Sequence, residues 1–174
     1  EEHRPKFRVV SPAIDFQLLD ERAADDSGFT HHKAYDLCFA ARWAPVKDPL
    51  AFLRLVSRLS KGRTTFRAAM AGRGDAKMNA DVMKLQDHLE LHDHVDQLGH
   101  LGHPAGVFAR SRVVVNCSLN EGTPLALIEA LALGADVASY AVGGIQDLIG
   151  DLDGCILVSP QDEAGLAEAV IELE

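Results

Sequence analysis

The chain has 174 residues, 47% of them hydrophobic and 25% charged, with a formal net charge of −9. This composition supports one ordinary domain with a sizeable core and excludes a disordered chain. The acidic balance excludes a broad nucleic-acid footprint, which needs a basic surface, but not a local anion site built from two or three donors.

In chain order, β-rich runs fall at 7–11, 37–41, 65–71, 95–98, 113–117, 136–140 and 155–158. Helical patterns lie between them, at 49–59, 77–91, 105–110, 124–133, 145–149 and 163–173. Several strand runs are apolar along their whole length, as in VVVNC, which marks strands covered on both faces. Strand and helix alternate throughout. That pattern predicts an α/β fold with a doubly wound, mostly parallel, Rossmann-like sheet of about six or seven strands and helices on both faces. The polar stretch 21–33, with Asp25, Asp26, Ser27 and Gly28, reads as an exposed loop.

No apolar run reaches membrane-spanning length, and nothing at the N-terminus reads as a signal peptide. Cys38, Cys117 and Cys155 each lie in an apolar strand-like run, and their spacing fits no metal motif. The expectation is reduced core thiols in a cytoplasmic protein. The chain begins EEHRPKFRVV and stops on a helical pattern, AGLAEAVIELE, so it reads as a piece of something longer. Arg73–Gly74–Asp75 spells an adhesion tripeptide, but it follows a strand and reads as a turn, where it can line a ligand pocket. His88 and His92 are four apart on a predicted helix. A solvated face explains them better than a metal site, because no zinc-type acidic partner follows.

A doubly wound sheet binds ligands at the carboxyl ends of its strands. The loop after 113–117 therefore draws attention. Pro124 suits the first helical position and makes Thr123 the expected N-cap. Leu125 and Ala126 are then expected to hold free amides at the positive end of the helix dipole, a site suited to phosphate. Gly122 permits close approach to the backbone. Asn120 and Glu121 sit at the mouth of the loop. Glu129 lies in the second turn, among residues apolar on every side, so the helix is expected to be buried all round. A carboxylate there needs a partner. An internal bond and a contact to ligand hydroxyls are both open readings.

EGTPLALIE, two glutamates with seven residues between them, resembles the signature of the retaining, two-Rossmann-domain (GT-B type) glycosyltransferases, the group 1, family 4-like enzymes. AARWAPVKD resembles that family's strand end with arginine and lysine. GHLG, SLNEG, ALALGADV and VGGIQDLI follow in family order. The resemblance implies that residues 1–174 are the C-terminal domain that binds a nucleotide-diphosphate sugar, UDP- or GDP-linked. It implies that Arg42 and Lys47 hold the diphosphate, Glu121 contacts the donor sugar, and Glu129 accepts hydrogen bonds from the ribose. It gives Leu125 and Ala126 the role of diphosphate amides and places Leu101 at the nucleobase. No metal and no cofactor is implied. The implied partner is an N-terminal acceptor domain of the same chain. Any peripheral association with a membrane would belong to that other half. Ala41, Pro12–Ala13, Cys117 and Asp136 depart from the family pattern without removing a ligand-binding group. The alternatives are a non-catalytic module that binds a sugar-phosphate or a protein, and a phosphorylase or epimerase of the same fold.

Overall fold

The computed structural model describes residues 14–25 and 33–174. Within them lies one sheet of six strands: β1 (Tyr35–Ala40), β2 (Ala68–Ala71), β3 (Val95–Gly99), β4 (Ser111–Asn116), β5 (Asp136–Tyr140) and β6 (Cys155–Val158). Their order is β3-β2-β1-β4-β5-β6 and every neighbouring pair is parallel. The helices are α1 (Phe16–Asp25), α2 (Pro49–Leu59), α3 (Ala76–His88), α4 (Ala105–Ala109), α5 (Leu125–Ala132), α6 (Ile145–Ile149) and α7 (Glu163–Leu173). Helix α2 touches α3 and α7, whereas α4 touches α1 and α5. These two groups cover the two faces of the sheet, giving the doubly wound, Rossmann-like arrangement.

The central strands read as they do because most of their length is closed to water. Leu37, Cys38 and Phe39 of β1 and Val113, Val114 and Val115 of β4 are all buried, odd and even positions alike. Leu37 lies in register with Ala68 on one side and Val113 on the other. Helix α2 starts at Pro49, with Asp48 before it in the left-handed region (φ 43°), where aspartate is tolerated. The Asp48 carboxylate accepts a 3.0 Å hydrogen bond from the Ala51 amide. The helix buries Phe52, Leu53 and Val56, and Phe52 sets its ring 5.3 Å from that of Phe39. Each large apolar side chain so buried contributes about 1.5–3 kcal/mol. Arg54 of α2 and Glu163 of α7 pair at 2.6 Å, but both are partly exposed, so the pair orients more than it stabilises.

The strands at 136–140 and 155–158 and the helices at 49–59, 145–149 and 163–173 have the bounds expected from the sequence. The expected strand at 7–11, Pro12–Ala13 and part of the polar stretch lie outside the described residues. The loop expected from residue 21 is corrected: α1 continues to Asp25. Leu19 and Ala23, four apart, bury themselves with Ala105 of α4, and the Asp15 carboxylate accepts from the Leu18 amide at 3.0 Å. The run at 65–71 becomes strand only at Ala68, because the Phe66 amide bonds back to the Arg63 carbonyl. Helix α3 ends at His88, and Glu90 turns to φ 55°, so His92 does not share its helix. Instead His92 lies 2.8 Å from the Asp87 carboxylate. All three cysteines are unpaired, and burial pushes Cys38 up to about 12 and Cys155 up to about 11, so both stay protonated thiols. Among the described residues no helix is long and apolar enough to cross a membrane.

The ladder runs on past the ends of β1, β2 and β3. The Ala41 amide bonds Ala71 at 3.2 Å, Trp43 bonds Arg73 at 3.0 Å, and Gly72 bonds Gly99 at 2.7 Å. Gly72 has φ +134°, and a Cβ there would sit 1.9 Å from the Ala41 carbonyl oxygen. Gly72→Ala is expected to cost about 3 kcal/mol in urea unfolding. Gly102→Ala, with nothing within 4 Å of the added carbon, is expected to stay within about 0.5 kcal/mol.

Candidate functional site

β1 and β4 are neighbours at the centre of the sheet, and the chain winds outward from them in opposite directions. The loops leaving their carboxyl ends therefore part and leave a crevice. After β1 come Arg42 and Trp43, then a single 3-10 turn, Pro45–Lys47, closed by the left-handed Asp48. After β4 comes the loop to α5. The Leu119 amide donates to the Val46 carbonyl at 2.8 Å and joins the two loops.

That bond brings Lys47 and Glu121 together. Lys47 Nζ lies 2.6 Å from Glu121 Oε1, with the side chains 25% and 15% exposed. A partly desolvated, charge-assisted contact of this kind is stronger than an open surface pair. Ser118 Oγ approaches the same carboxylate oxygen at 2.6 Å. Behind it stands a buried polar chain. The Ser118 amide donates to Asn116 Oδ1 at 3.2 Å, Asn116 Nδ2 to Ser139 Oγ at 3.1 Å, and Ser139 Oγ to the Tyr140 carbonyl at 3.0 Å. Sequence reasoning missed this support. SLNEG was legible as a motif, but the fixed link from Ser118 to Glu121 was not.

The start of α5 corrects the expected cap. Pro124, not Thr123, occupies the N-cap, at φ −81° and ψ 62°. That is an inverse γ-turn, and it spends the Leu125 amide on the Thr123 carbonyl at 2.9 Å. Leu125 is therefore not the free donor expected. The Leu127 amide bonds Pro124 at 3.0 Å, and the Ala126 amide has no protein partner among the described residues. The single open amide of the first turn is that of Ala126. The helix is also not buried all round. Only Leu127 and Ala130 are buried, and Leu125 is 42% exposed, because no described element covers the outer side of this short helix.

Glu129 is not sealed in the core. Its side chain is 22% exposed, and its nearest basic neighbour is His103 Nε2 at 3.8 Å, too far for a hydrogen bond. His103 Nδ1 accepts from the Ala105 amide at 3.2 Å, so in the neutral ring the proton sits on Nε2, facing Glu129. No sequence signal marked His103 for this place.

Two cavities open at the strand ends. One, of about 270 Å³, is lined by Arg42, Lys47, Glu121, Thr123, Leu125 and Ala126. The other, of about 730 Å³, is lined by Arg42, Trp43, Arg73, Asp75, His100 and Leu101, among others. Arg42 is exposed and borders both. Gly122 and Glu129 line neither cavity. An Asp-x-Asp sequence, Asp151–Leu152–Asp153, lies in an exposed turn before β6 and lines neither. Among the described residues no group of three or more His, Cys, Asp or Glu side chains is placed to hold a metal ion.

Residues 34–174 match the sequence profile of glycosyl transferases group 1. The chain belongs to that family. It is 30% identical over 145 residues to an α-1,4-N-acetyl-D-galactosaminyltransferase of Campylobacter jejuni that acts on an undecaprenol-linked GalNAc saccharide, covering 82% of this chain and 39% of that protein. It is 26% identical over 175 residues to D-inositol 3-phosphate glycosyltransferase of Mycolicibacterium smegmatis, covering 98% of this chain and 40% of the relative. The crystal structure of Anabaena HepE in complex with UDP superposes with a TM-score of 0.75 at 17% identity, over 91% of this chain and 45% of HepE. The family domain thus spans about two fifths of the length of these curated relatives.

The back of the Glu121 loop rests on Gly143, whose φ is +55° and whose added Cβ would lie 1.8 Å from the Glu121 carbonyl oxygen. Gly143→Ala is expected to lower stability by about 3 kcal/mol in urea unfolding. Gly122→Ala, facing open space, is expected to change it by no more than about 0.5 kcal/mol.

Proposed function

We propose that this domain binds a nucleotide-diphosphate sugar and forms the donor half of a retaining glycosyltransferase. The observation that carries this reading is the convergence of Arg42, Lys47, Glu121 and the open Ala126 amide on one small cavity at the point where the sheet reverses. Leaving-group departure builds negative charge on the diphosphate. Arg42, Lys47, the Ala126 amide and the α5 dipole are fixed positive groups that stabilise it. The arginine fork suits two phosphate oxygens, and lysine supplies a point charge. Leu125 contributes its exposed side chain to the wall and not its amide.

In this reading Glu121 contacts the sugar beside the reacting carbon. The nucleoside extends past Arg42 into the larger cavity, toward Leu101. Glu129, partly exposed on α5, takes the ribose hydroxyls. The acceptor hydroxyl attacks the anomeric carbon on the face from which the diphosphate leaves. The new carbon–oxygen bond forms as the sugar–phosphate bond breaks, and the hydroxyl proton passes to the departing oxygen. The acceptor is held by an N-terminal domain of the longer, cytoplasmic protein, consistent with the share of its relatives that this domain spans. The bound UDP in the HepE structure supports a uridine nucleotide, and GDP is the other candidate.

Thermal shift and calorimetry on the full-length protein test this. UDP or GDP at about 100 times its Kd is expected to add about 2.7 kcal/mol of stability. Arg42→Ala is expected to weaken that nucleotide about 10- to 100-fold, the loss of charge-assisted bonds to phosphate. No stabilisation by UDP, GDP or ADP, or an Arg42→Ala protein that binds as well as the wild type, would contradict the proposal.

A further inference from the structure

Ser118 carries one hydroxyl proton and faces two oxygen acceptors at the same distance. Asn116 Oδ1 and Glu121 Oε1 each lie 2.6 Å from its Oγ. Asn116 cannot turn its amide nitrogen toward Ser118. Its Oδ1 is held by the Ser118 amide and its Nδ2 by Ser139 Oγ. One proton must therefore serve one acceptor or the other. All three supporting side chains, Asn116, Ser118 and Ser139, are buried, so no bulk water is available to substitute. On the opposite side, Glu121 Oε1 also takes Lys47 Nζ at 2.6 Å. Both bonds thus fall on a single oxygen, and Lys47 is occupied by a carboxylate inside the cavity where an anion would need it.

We infer that Ser118 is a positioning residue that lets Lys47 exchange partners, leaving Glu121 for the donor diphosphate. With Lys47 on Glu121, the carboxylate charge is already met, and the serine proton is free to serve Asn116. When a diphosphate draws Lys47 away, Glu121 becomes the stronger acceptor and takes that proton. The carboxylate then stays in place, directed at the sugar, without its ion-pair partner. The donor thereby recruits its own lysine, and the empty crevice keeps its charges matched. This inference rests on the donor reading above.

A binding cycle on the full-length protein tests it, with UDP as the probe in calorimetry. Glu121→Gln frees Lys47, so UDP is expected to bind more tightly. Ser118→Ala removes the alternative partner of Glu121 and holds Lys47 there, so UDP is expected to bind about 10- to 100-fold more weakly, the scale of one charge-assisted hydrogen bond. In the Glu121→Gln background, Ser118→Ala is expected to have no further effect. Ser118→Thr, which keeps the hydroxyl, is expected to restore wild-type affinity. An equal loss from Ser118→Ala in both backgrounds, or no loss in either, would overturn the inference and leave the donor reading standing. Failure of the wild-type protein to bind UDP, GDP and ADP alike would overturn both.

Discussion

An all-parallel sheet that reverses its winding between two central strands must leave a gap at their carboxyl ends, and every element of the candidate site depends on that constraint. The loops after β1 and β4 are far apart in sequence but start from adjacent strands. One backbone bond, from the Leu119 amide to the Val46 carbonyl, then sets their distance. Lys47 meets Glu121 because of it. The two glycine contacts do the complementary work. Gly72 closes the β2 end onto Ala41, and Gly143 supports the Glu121 carbonyl from behind. Around an open crevice the backbone is thereby packed as tightly as a core.

The polar groups at this gap are built in layers. Nearest the opening is Arg42, exposed at the border of both cavities. Next comes the partly desolvated Lys47–Glu121 pair. Deepest is the buried chain Ser118, Asn116 and Ser139, ending on the Tyr140 carbonyl of β5. A buried polar chain is costly unless its members are satisfied. This one is satisfied apart from the single serine proton shared between two acceptors. Its other ends are pinned to the strands, so it transfers the stiffness of the sheet to a carboxylate on a loop.

Much of the fold was legible because parallel strands buried on both faces produce unbroken apolar runs, such as 113–117, that cannot be mistaken for surface. Helix α2 was legible from the apolar spacing of Leu50, Leu53, Val56 and Leu59. Helix α1 was not, because Leu19 and Ala23 are buried while Phe16 and Leu18 stand exposed among polar neighbours, so its apolar residues do not form one buried stripe. The motif around Glu121 pointed to residues several of which line one cavity with Arg42 and Lys47, yet the cap was misread. Proline at the N-cap instead of the first helical position turned the Leu125 amide inward, a matter of one ψ angle that no residue type declares. The full burial expected for α5 failed because apolar composition states what a helix could bury, not what is there to cover it. His103 and Ser118 were invisible as partners because their contacts cross between loops or depend on hydroxyl geometry.

The most direct measurement is a crystal structure of the full-length protein with UDP bound. The expected result has diphosphate oxygens within hydrogen-bond distance of the Ala126 amide and the Arg42 guanidinium, with the uracil on the Leu101 side. Nucleotide density elsewhere, with Arg42 and the Ala126 amide still facing solvent, would contradict the crevice between β1 and β4 as the donor site.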